Sequence, residues 1–262
     1  MGRNGALTGT ASVRKAFAML DVVATNSRGV SAKDIAAALD MPLPTVYRLL
    51  KTLVASEHLV HLKDQGRYGL GYKLHALDTS LRRQVGTPPA VARIIRELHV
   101  RSDAAAYYAV HRGDDIIVAH VVESAARPRI TPMGFGFNDA AHATAFGKVL
   151  LAAMEPEHRR SYLARHGLPE MTSRTIQTIE ELEAQLCEVR DSGIAVEREE
   201  FLMGASCLAA PVTNPAGQTI GSVAVSMSPA DFAARATNVS GMLRDAADKV
   251  GKALRGTHLL AN

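Results

Sequence analysis

No stretch of this 262-residue chain approaches the roughly 20 consecutive apolar residues that a membrane-spanning helix needs. Its opening, MGRNGALTGTAS, lacks the apolar core of a secretory signal. A cytoplasmic protein without membrane contact is expected. Cysteine is scarce: Cys187 and Cys207 form no C-x-x-C pair and no disulfide framework. The ten histidines are scattered, with no H-E-x-x-H and no Cys/His spacing that suits zinc, so no metal and no other cofactor is expected. Residues 134–139, GFGFND, begin like a dinucleotide fingerprint but lack its third glycine and its helix, and read instead as a flexible loop. Fixed-period repeats and low-complexity tracts are absent too. What remains is globular composition, 47% hydrophobic and 21% charged, long enough for two ordinary domains.

Charge is unevenly spread. Residues 1–85 hold 12 Lys and Arg against 6 Asp and Glu, whereas residues 86–262 hold 18 against 20. A basic small domain joined to a slightly acidic larger one suggests a polyanion-binding module followed by a sensing or catalytic one.

Residues 42–53, PLPTVYRLLKTL, are central to the basic part. Val46, Leu49, Leu50 and Leu53 stand at i, i+3, i+4 and i+7, one face of a helix. Thr45, Tyr47, Arg48, Lys51 and Thr52 fall on the other face, and Pro44 suits the first turn, where its missing N–H would have no partner. Before this helix, residues 1–11 read as a mobile tail. Ser12 then caps a first helix to about Asn26, with Val13, Phe17, Leu20 and Ala24 inward. Ser31, with Asp34 three residues on, caps a short second helix ending near Asp40. A short helix, a tight turn and an amphipathic helix make a helix-turn-helix, whose second helix enters the major groove. Residues 59–62 and 67–70 read as strands around a KDQG turn, a basic wing carrying Lys63 and Arg67. The candidate DNA-binding residues are therefore Ser31, Pro44, Thr45, Tyr47, Arg48, Lys51, Lys63 and Arg67. Arg48 suits a bidentate base contact, and the wing cations suit the phosphate backbone. The winged helix-turn-helix is expected to span residues 1–72. A linker helix with a Leu74, Leu77, Leu81 stripe and a boundary at GTPP take residues 73–89.

Residues 90–262 read as an α+β domain with an antiparallel-rich sheet. A helix at 90–102 precedes a hairpin of strands at 104–111 and 116–123. An irregular stretch at 127–139 leads to helices at 142–154 and 156–165. Thr178 with Glu181 caps a helix ending at Gly193. Strands at 194–200, 206–214 and 219–228 and a long amphipathic helix complete the domain. Strand alternation puts Glu197 and Glu199 on one face and Glu200 on the other. Cys207 with His142 as its base would make a nucleophilic enzyme acting on a small acid or ester. The apolar neighbours Leu208, Ala209 and Ala210 favour a buried, unreactive thiol instead.

The segments SVRKAFAMLDVVA, SAKDIAAALDMPLPTVYRLLKTL, YGLGYKL, HATAFGKVLLA and SGIAVEREEFLMGASCLAAPVTNPAGQTIGSVAVSMS, in this order, resemble the IclR family of bacterial transcriptional regulators. The likeness runs from about Ser12 to Leu254. It implies a winged helix, a linker helix and a GAF-like effector-binding domain. It also implies dimers or tetramers on palindromic double-stranded operators, commonly near genes for catabolism of small organic or aromatic acids. Carried over residue by residue, the effector pocket takes Thr144, Ala145 and Phe146 from the entry to the 142–154 helix. Glu197 and Cys207 come from the 197–207 segment, Ala224 and Ser226 from the last strand, and Thr131 and Ala205 from the apolar wall. Relatives that bind small keto acids tend to carry two serines on that last strand. Ala224 and the bulky Phe146 depart from their pattern and suit a ligand with more apolar or aromatic area. The expected function is a sequence-specific DNA-binding regulator, by family habit a repressor, whose operator binding responds to a small-molecule effector. The alternatives are the Cys207/His142 enzyme and an architectural nucleic-acid-binding protein indifferent to sequence and small molecules.

Overall fold

The computed structural model describes the backbone of residues 5–258 and the side chains of residues 10–255. The chain divides into two compact units, Met1–Gln84 and Val85–Asn262. Among the described residues no helix is long and apolar enough to cross a membrane.

The first unit is built from α1 (Gly5–Ala24), β1 (Val30–Ser31), α2 (Ala32–Ala38), α3 (Leu43–Ala55), β2 (Leu59–Leu62) and β3 (Arg67–Leu70). α4 (Lys73–Val85) follows. Met19 and Val23 of α1, Ile35 of α2, Leu59 of β2 and the α3 stripe Val46, Leu49, Leu50 and Leu53 form one buried cluster. That stripe is the one its spacing predicts, and α3 opens with proline in its first turn.

α1 departs from expectation in two ways. It begins at Gly5, so residues 5–11, expected as a mobile tail, are helical, and Ser12 is an interior residue and not a cap. No proline interrupts this stretch, and each residue added to a formed helix gains a hydrogen bond. The rest of the expected tail, residues 1–4, lies outside the described residues. The inward pair is Met19 and Val23, whereas Val13 and Phe17 are 55% and 62% exposed. The i, i+4 pair that takes the core lies on a different face, since Met19 is two residues, roughly 200°, around the helix from Phe17.

The wing is a three-stranded antiparallel sheet in the order β1-β3-β2. β1 was not foreseen, because two residues carry no alternation signal. Ser31 ends β1 opposite Arg67 and also caps α2, its hydroxyl accepting the Asp34 N–H at 3.2 Å. The wing tip is a single 3-10 turn, Lys63–Gln65, closed by Gly66 in the left-handed region at φ 61°.

The second unit is α+β, with α5 (Pro89–Ser102), β4 (Ala105–Arg112), β5 (Asp115–Val122), α6 (Ala145–Ala153) and α7 (Pro156–His166). These are followed by α8 (Ile179–Ser192), β6 (Ala195–Arg198), β7 (Ser206–Thr213), β8 (Thr219–Met227) and α9 (Pro229–His258). The five strands form one antiparallel sheet in the order β5-β4-β8-β7-β6. Alternation along each strand divides the side chains between two cores. Ala106, Tyr108, Leu208, Val223 and Val225 pack with α5 and α9. Ala105, Tyr107, Cys207, Ala209 and Ala224 pack with α6, α8 and residues 130–137.

The segment expected as a flexible loop is pinned. Val118 N–H donates to the Phe137 carbonyl at 2.9 Å and Gly136 N–H to the Val118 carbonyl at 2.8 Å, while Ile130, Met133 and Phe137 are buried. It thereby covers part of the β5 edge, whose backbone groups would otherwise lack partners.

Candidate nucleic-acid interface and ligand cleft

On α3, Tyr47, Arg48, Lys51 and Thr52 are exposed and Thr45 is half-buried, opposite the fully packed stripe. Pro44 is exposed in the first turn. This surface offers a phenol, a guanidinium, an ammonium and hydroxyls, groups suited to phosphates and base edges. Lys63 is exposed at the wing tip. Arg67 is not a free wing cation: it is half-buried and donates from Nη1 to the Gly29 carbonyl at 2.9 Å, bracing the turn before β1. Ser31 likewise directs its hydroxyl to Asp34, as donor to Oδ2 at 2.8 Å and acceptor of the N–H. Of the eight residues singled out for DNA, these two are structural first. His61 stacks on Tyr68 with ring centroids 4.6 Å apart, which stiffens the wing.

In the second unit, a cleft of about 530 Å³ opens at the end of the sheet beside the start of α9. Thr131, Ala205 and Ser226 line it, together with Arg127, Arg129 and Leu202. Both arginines are paired, Arg127 with Asp103 and Asp231, and Arg129 with Glu123. The other expected pocket residues, Thr144, Ala145, Phe146, Glu197, Cys207 and Ala224, do not reach this cleft. They are buried between the sheet and α6.

That buried layer is ordered by register. Glu197 stands opposite Cys207, Cys207 opposite Ser226 and Ser226 opposite Ala105, so Glu197, Cys207 and Ser226 form one row across the sheet. Glu197 Oε1 accepts the N–H groups of Glu200 and Phe201, while its Oε2 is buried without a hydrogen-bond partner. Burial pushes the Glu197 carboxyl up, against the lowering effect of the Cys207 thiol and the two N–H groups. At the other end of the row Tyr107 Oη lies 3.1 Å from Ser226 Oγ and accepts the Ile130 N–H at 2.9 Å. Burial raises the Tyr107 phenol to about 12. Above the row sit the aromatic rings of Phe146, Phe137 and Phe201. Phe137 meets Phe146 and Phe201 edge-on, with centroids 6.4 and 5.5 Å apart.

The HATAFGK segment serves the fold. Thr144 caps α6 by accepting the Gly147 N–H at 3.3 Å. A Cβ at Gly147 would lie 2.2 Å from the Ala141 carbonyl oxygen, so only glycine fits. Lys148 is fully buried, with Nζ 2.6 Å from both Glu200 carboxylate oxygens and 2.6 Å from Gln185 Oε1. Burial lowers its pKa, and the Glu200 carboxylate offsets part of that.

The glutamates are not arranged as strand alternation predicts. β6 stops at Arg198, and Glu199 takes a left-handed conformation at φ 58°. This turn breaks the two-residue period, so Glu197 and Glu200 both face inward. Glu199 pairs with Arg174 at the surface. The enzyme alternative finds no base paired with the thiol: His142 Nε2 is directed to the Pro169 carbonyl at 3.1 Å, not to Cys207. Cys207 faces Glu197, and burial, with Glu197 and Glu200 close by, drives its thiol well up, the opposite of an activated nucleophile. Among the described residues no three His, Cys, Asp or Glu gather where they could hold a metal ion. Sequence reasoning missed Tyr107, Lys148, Arg127 and Arg129, and turned Glu200 to the wrong face. Only Lys148 left a signal, as one charge inside an otherwise apolar helix.

Two family models match the chain: the IclR helix-turn-helix domain over residues 12–60 and the bacterial transcriptional regulator IclR C-terminal domain over residues 88–252. The chain belongs to the IclR family: it is a DNA-binding transcriptional regulator with a C-terminal effector-binding domain, and not an enzyme. The Pca regulon regulatory protein of Pseudomonas putida is 30% identical over 222 residues, covering 82% of this chain and 73% of that protein. The HTH-type transcriptional repressor AllR of Escherichia coli K12 is 24% identical over 219 residues, covering 83% and 80%. Among solved structures, an IclR homolog from Microbacterium hydrocarbonoxydans, complexed with 4-hydroxybenzoate, superposes with a TM-score of 0.73 at 20% identity, covering 94% of this chain and 99% of that one.

Proposed function

We propose that the protein is a cytoplasmic repressor that binds a palindromic operator as a dimer or a pair of dimers and responds to an organic acid with aromatic or apolar area. The observation that carries the DNA-binding part is the outward set Thr45, Tyr47, Arg48 and Lys51 on a helix whose opposite stripe is fully packed. In this reading α3 lies in the major groove, with Pro44 and Ser31 near the backbone, and Lys63 and the remaining donors of Arg67 on phosphates. Residues 1–72 act as the DNA-binding domain, 73–89 as the linker and 90–262 as the sensor.

Dimerisation is supported by unpartnered apolar side chains in the first unit. Val13 and Phe17 of α1 are exposed, no residue of α4 is buried, and Leu77 is 49% exposed. A second copy would cover them, and two-fold symmetry matches a palindromic site.

The effector class is supported by the aromatic rings of Phe137, Phe146 and Phe201 behind a cleft carrying Ser226, Thr131 and Arg129. Ala224, buried in the layer behind the cleft, puts a methyl where a second hydroxyl would stand. The 4-hydroxybenzoate complex of the Microbacterium hydrocarbonoxydans homolog points the same way. Repression follows the AllR relative. An effector shifts DNA binding only by the difference in its affinity for the two states.

The test is fluorescence anisotropy on DNA upstream of this gene and its neighbours, with and without 4-hydroxybenzoate or pyruvate. The reading expects salt-dependent, sequence-specific binding that 4-hydroxybenzoate weakens and pyruvate does not. Equal affinity for random DNA would sink the regulator reading. A response to pyruvate alone would overturn the aromatic-acid class.

A further inference from the structure

Hydrogen-bond bookkeeping at the inner end of the cleft singles out a residue that sequence reasoning did not assign. Three groups form a chain there: the Ile130 N–H, the Tyr107 hydroxyl and the Ser226 hydroxyl. The Ile130 amide can only donate, so Tyr107 Oη uses one lone pair to accept it. The Tyr107–Ser226 contact then has two possible directions. If Ser226 donates, the phenol proton is left in the buried layer, where Tyr107 is 2% exposed and, among the described residues, its hydroxyl has no hydrogen-bond partner other than Ile130 and Ser226. If Tyr107 donates, the leftover proton is that of Ser226, on the wall of the cleft. A buried O–H without an acceptor carries its full desolvation cost, whereas one facing a cleft is satisfied by whatever enters it. The second arrangement wins.

We infer that Tyr107 is a positioning residue that fixes Ser226 as a hydrogen-bond donor into the cleft, so that the site selects a ligand presenting a strong oxygen acceptor, a carboxylate or carbonyl, over an alcohol or amine of the same shape, whose neutral hydroxyl or amino group accepts more weakly. The inference rests on the proposed effector role of the cleft and deepens it. The two hydroxyls come from neighbouring strands, and register explains why they meet. Ser226 pairs with Ala105, and Tyr107, two residues further along β4, leans across to it. The tyrosine is also held apart from Ser226, by the Ile130 N–H on its hydroxyl and by its ring packing on Phe146 with centroids 6.5 Å apart. The same phenol holds residue 130 of the strap that carries Arg129, so an acceptor pulling on Ser226 also bears on that strap.

The experiment measures dissociation constants of the full-length protein by calorimetry for matched pairs: benzoate against benzyl alcohol, and 4-hydroxybenzoate against 4-hydroxybenzyl alcohol. The native chain is expected to prefer the acid by at least about tenfold, the factor a hydrogen bond to a charged group supplies. Tyr107→Phe keeps the ring and its packing while freeing Ser226 to turn, and is expected to erase most of that preference by weakening the acid while sparing the alcohol. Ser226→Ala, which leaves Tyr107 in place, should do the same, and covers the case of a poorly folded Tyr107→Phe. If Tyr107 merely supports the fold, both members of a pair weaken equally. An acid-to-alcohol ratio that survives both substitutions overturns the inference and leaves the acid-effector reading standing. A native preference for the alcohols overturns the donor assignment. Binding of none of the probes removes the aromatic-acid class proposed above, and the inference with it.

Discussion

α3 and α6 are both short apolar helices carrying lysine, and they use it in opposite ways. On α3, Lys51 and Arg48 stand in water, across the helix from Val46, Leu49 and Leu50. On α6, Lys148 has no exposed surface and is clamped between Glu200 and Gln185. The first arrangement costs the fold nothing and leaves the charges available to a polyanion. The second desolvates both partners, and its value is structural: it ties α6 to the 199–205 segment at the edge of the cleft. The basic unit thus presents these cations to solvent, while the sensing unit encloses a subset of its polar groups, Lys148, Glu197 and Glu200 among them.

The sharpest way to break that contrast is Lys148→Met. It leaves the Glu200 carboxylate buried and alone, and the second unit is expected to lose about 3–5 kcal/mol in urea unfolding followed by circular dichroism. The pair Lys148→Met with Glu200→Leu should recover much of it. A single-variant loss of about 0–1 kcal/mol, the range of exposed pairs, would place Lys148 in the same category as Lys51. Next in size, Arg48→Ala should cost about 1–3 kcal/mol of operator affinity by anisotropy while leaving the urea midpoint unmoved. Affinity that stays the same would remove α3 as the reading element.

Acidification probes the buried side of the comparison. Burial lowers the pKa of His111, His120 and His142, all in the second unit. Their folded values lie below the unfolded one, so the unfolded chain takes up protons first as pH falls. Their contribution is complete above the ordinary histidine value of about 6.5 and is lost as pH falls through the window below it. The urea midpoint should therefore drop between pH 7.5 and 5.5, and a rise would contradict the burial assigned to these rings. The smallest effect is expected of Lys63→Ala, which should lower the salt slope of DNA binding by about one and weaken all sequences alike. A changed base preference at one position would move Lys63 from the backbone to the groove.

The same contrast decides what could be read from residue order. The α3 stripe, the Ser31 cap, the hairpin wing, the α+β character of the second unit and its long final helix were all legible, because periodicity and capping are local. The outward residues of α3 followed from the same periodicity, as the complement of the buried face. The cleft did not. Arg67 looks like a free wing cation until Gly29, distant in sequence, claims it. Glu197 and Glu200 come together only because Glu199 turns left-handed, which no two-residue period foretells. Tyr107 and Ser226 are neighbours through strand pairing alone. Family likeness named the row of Glu197, Cys207 and Ser226, but not which of its members faces the cleft and which are enclosed behind it.

The two-residue strand β1 has a consequence for how such a protein acquires a new target. Because Ser31 belongs at once to the wing sheet and to the cap of α2, the wing and the helix pair are cut from one template. They form a ruler with fixed graduations: the distance between the outer face of α3 and the wing tip is set by the β1–β3 pairing together with the Ser31 cap. In the proposed reading, new operators are learned by exchanging the residues on the outer face of α3. A target with one base pair inserted between the two contacts would call for a different ruler.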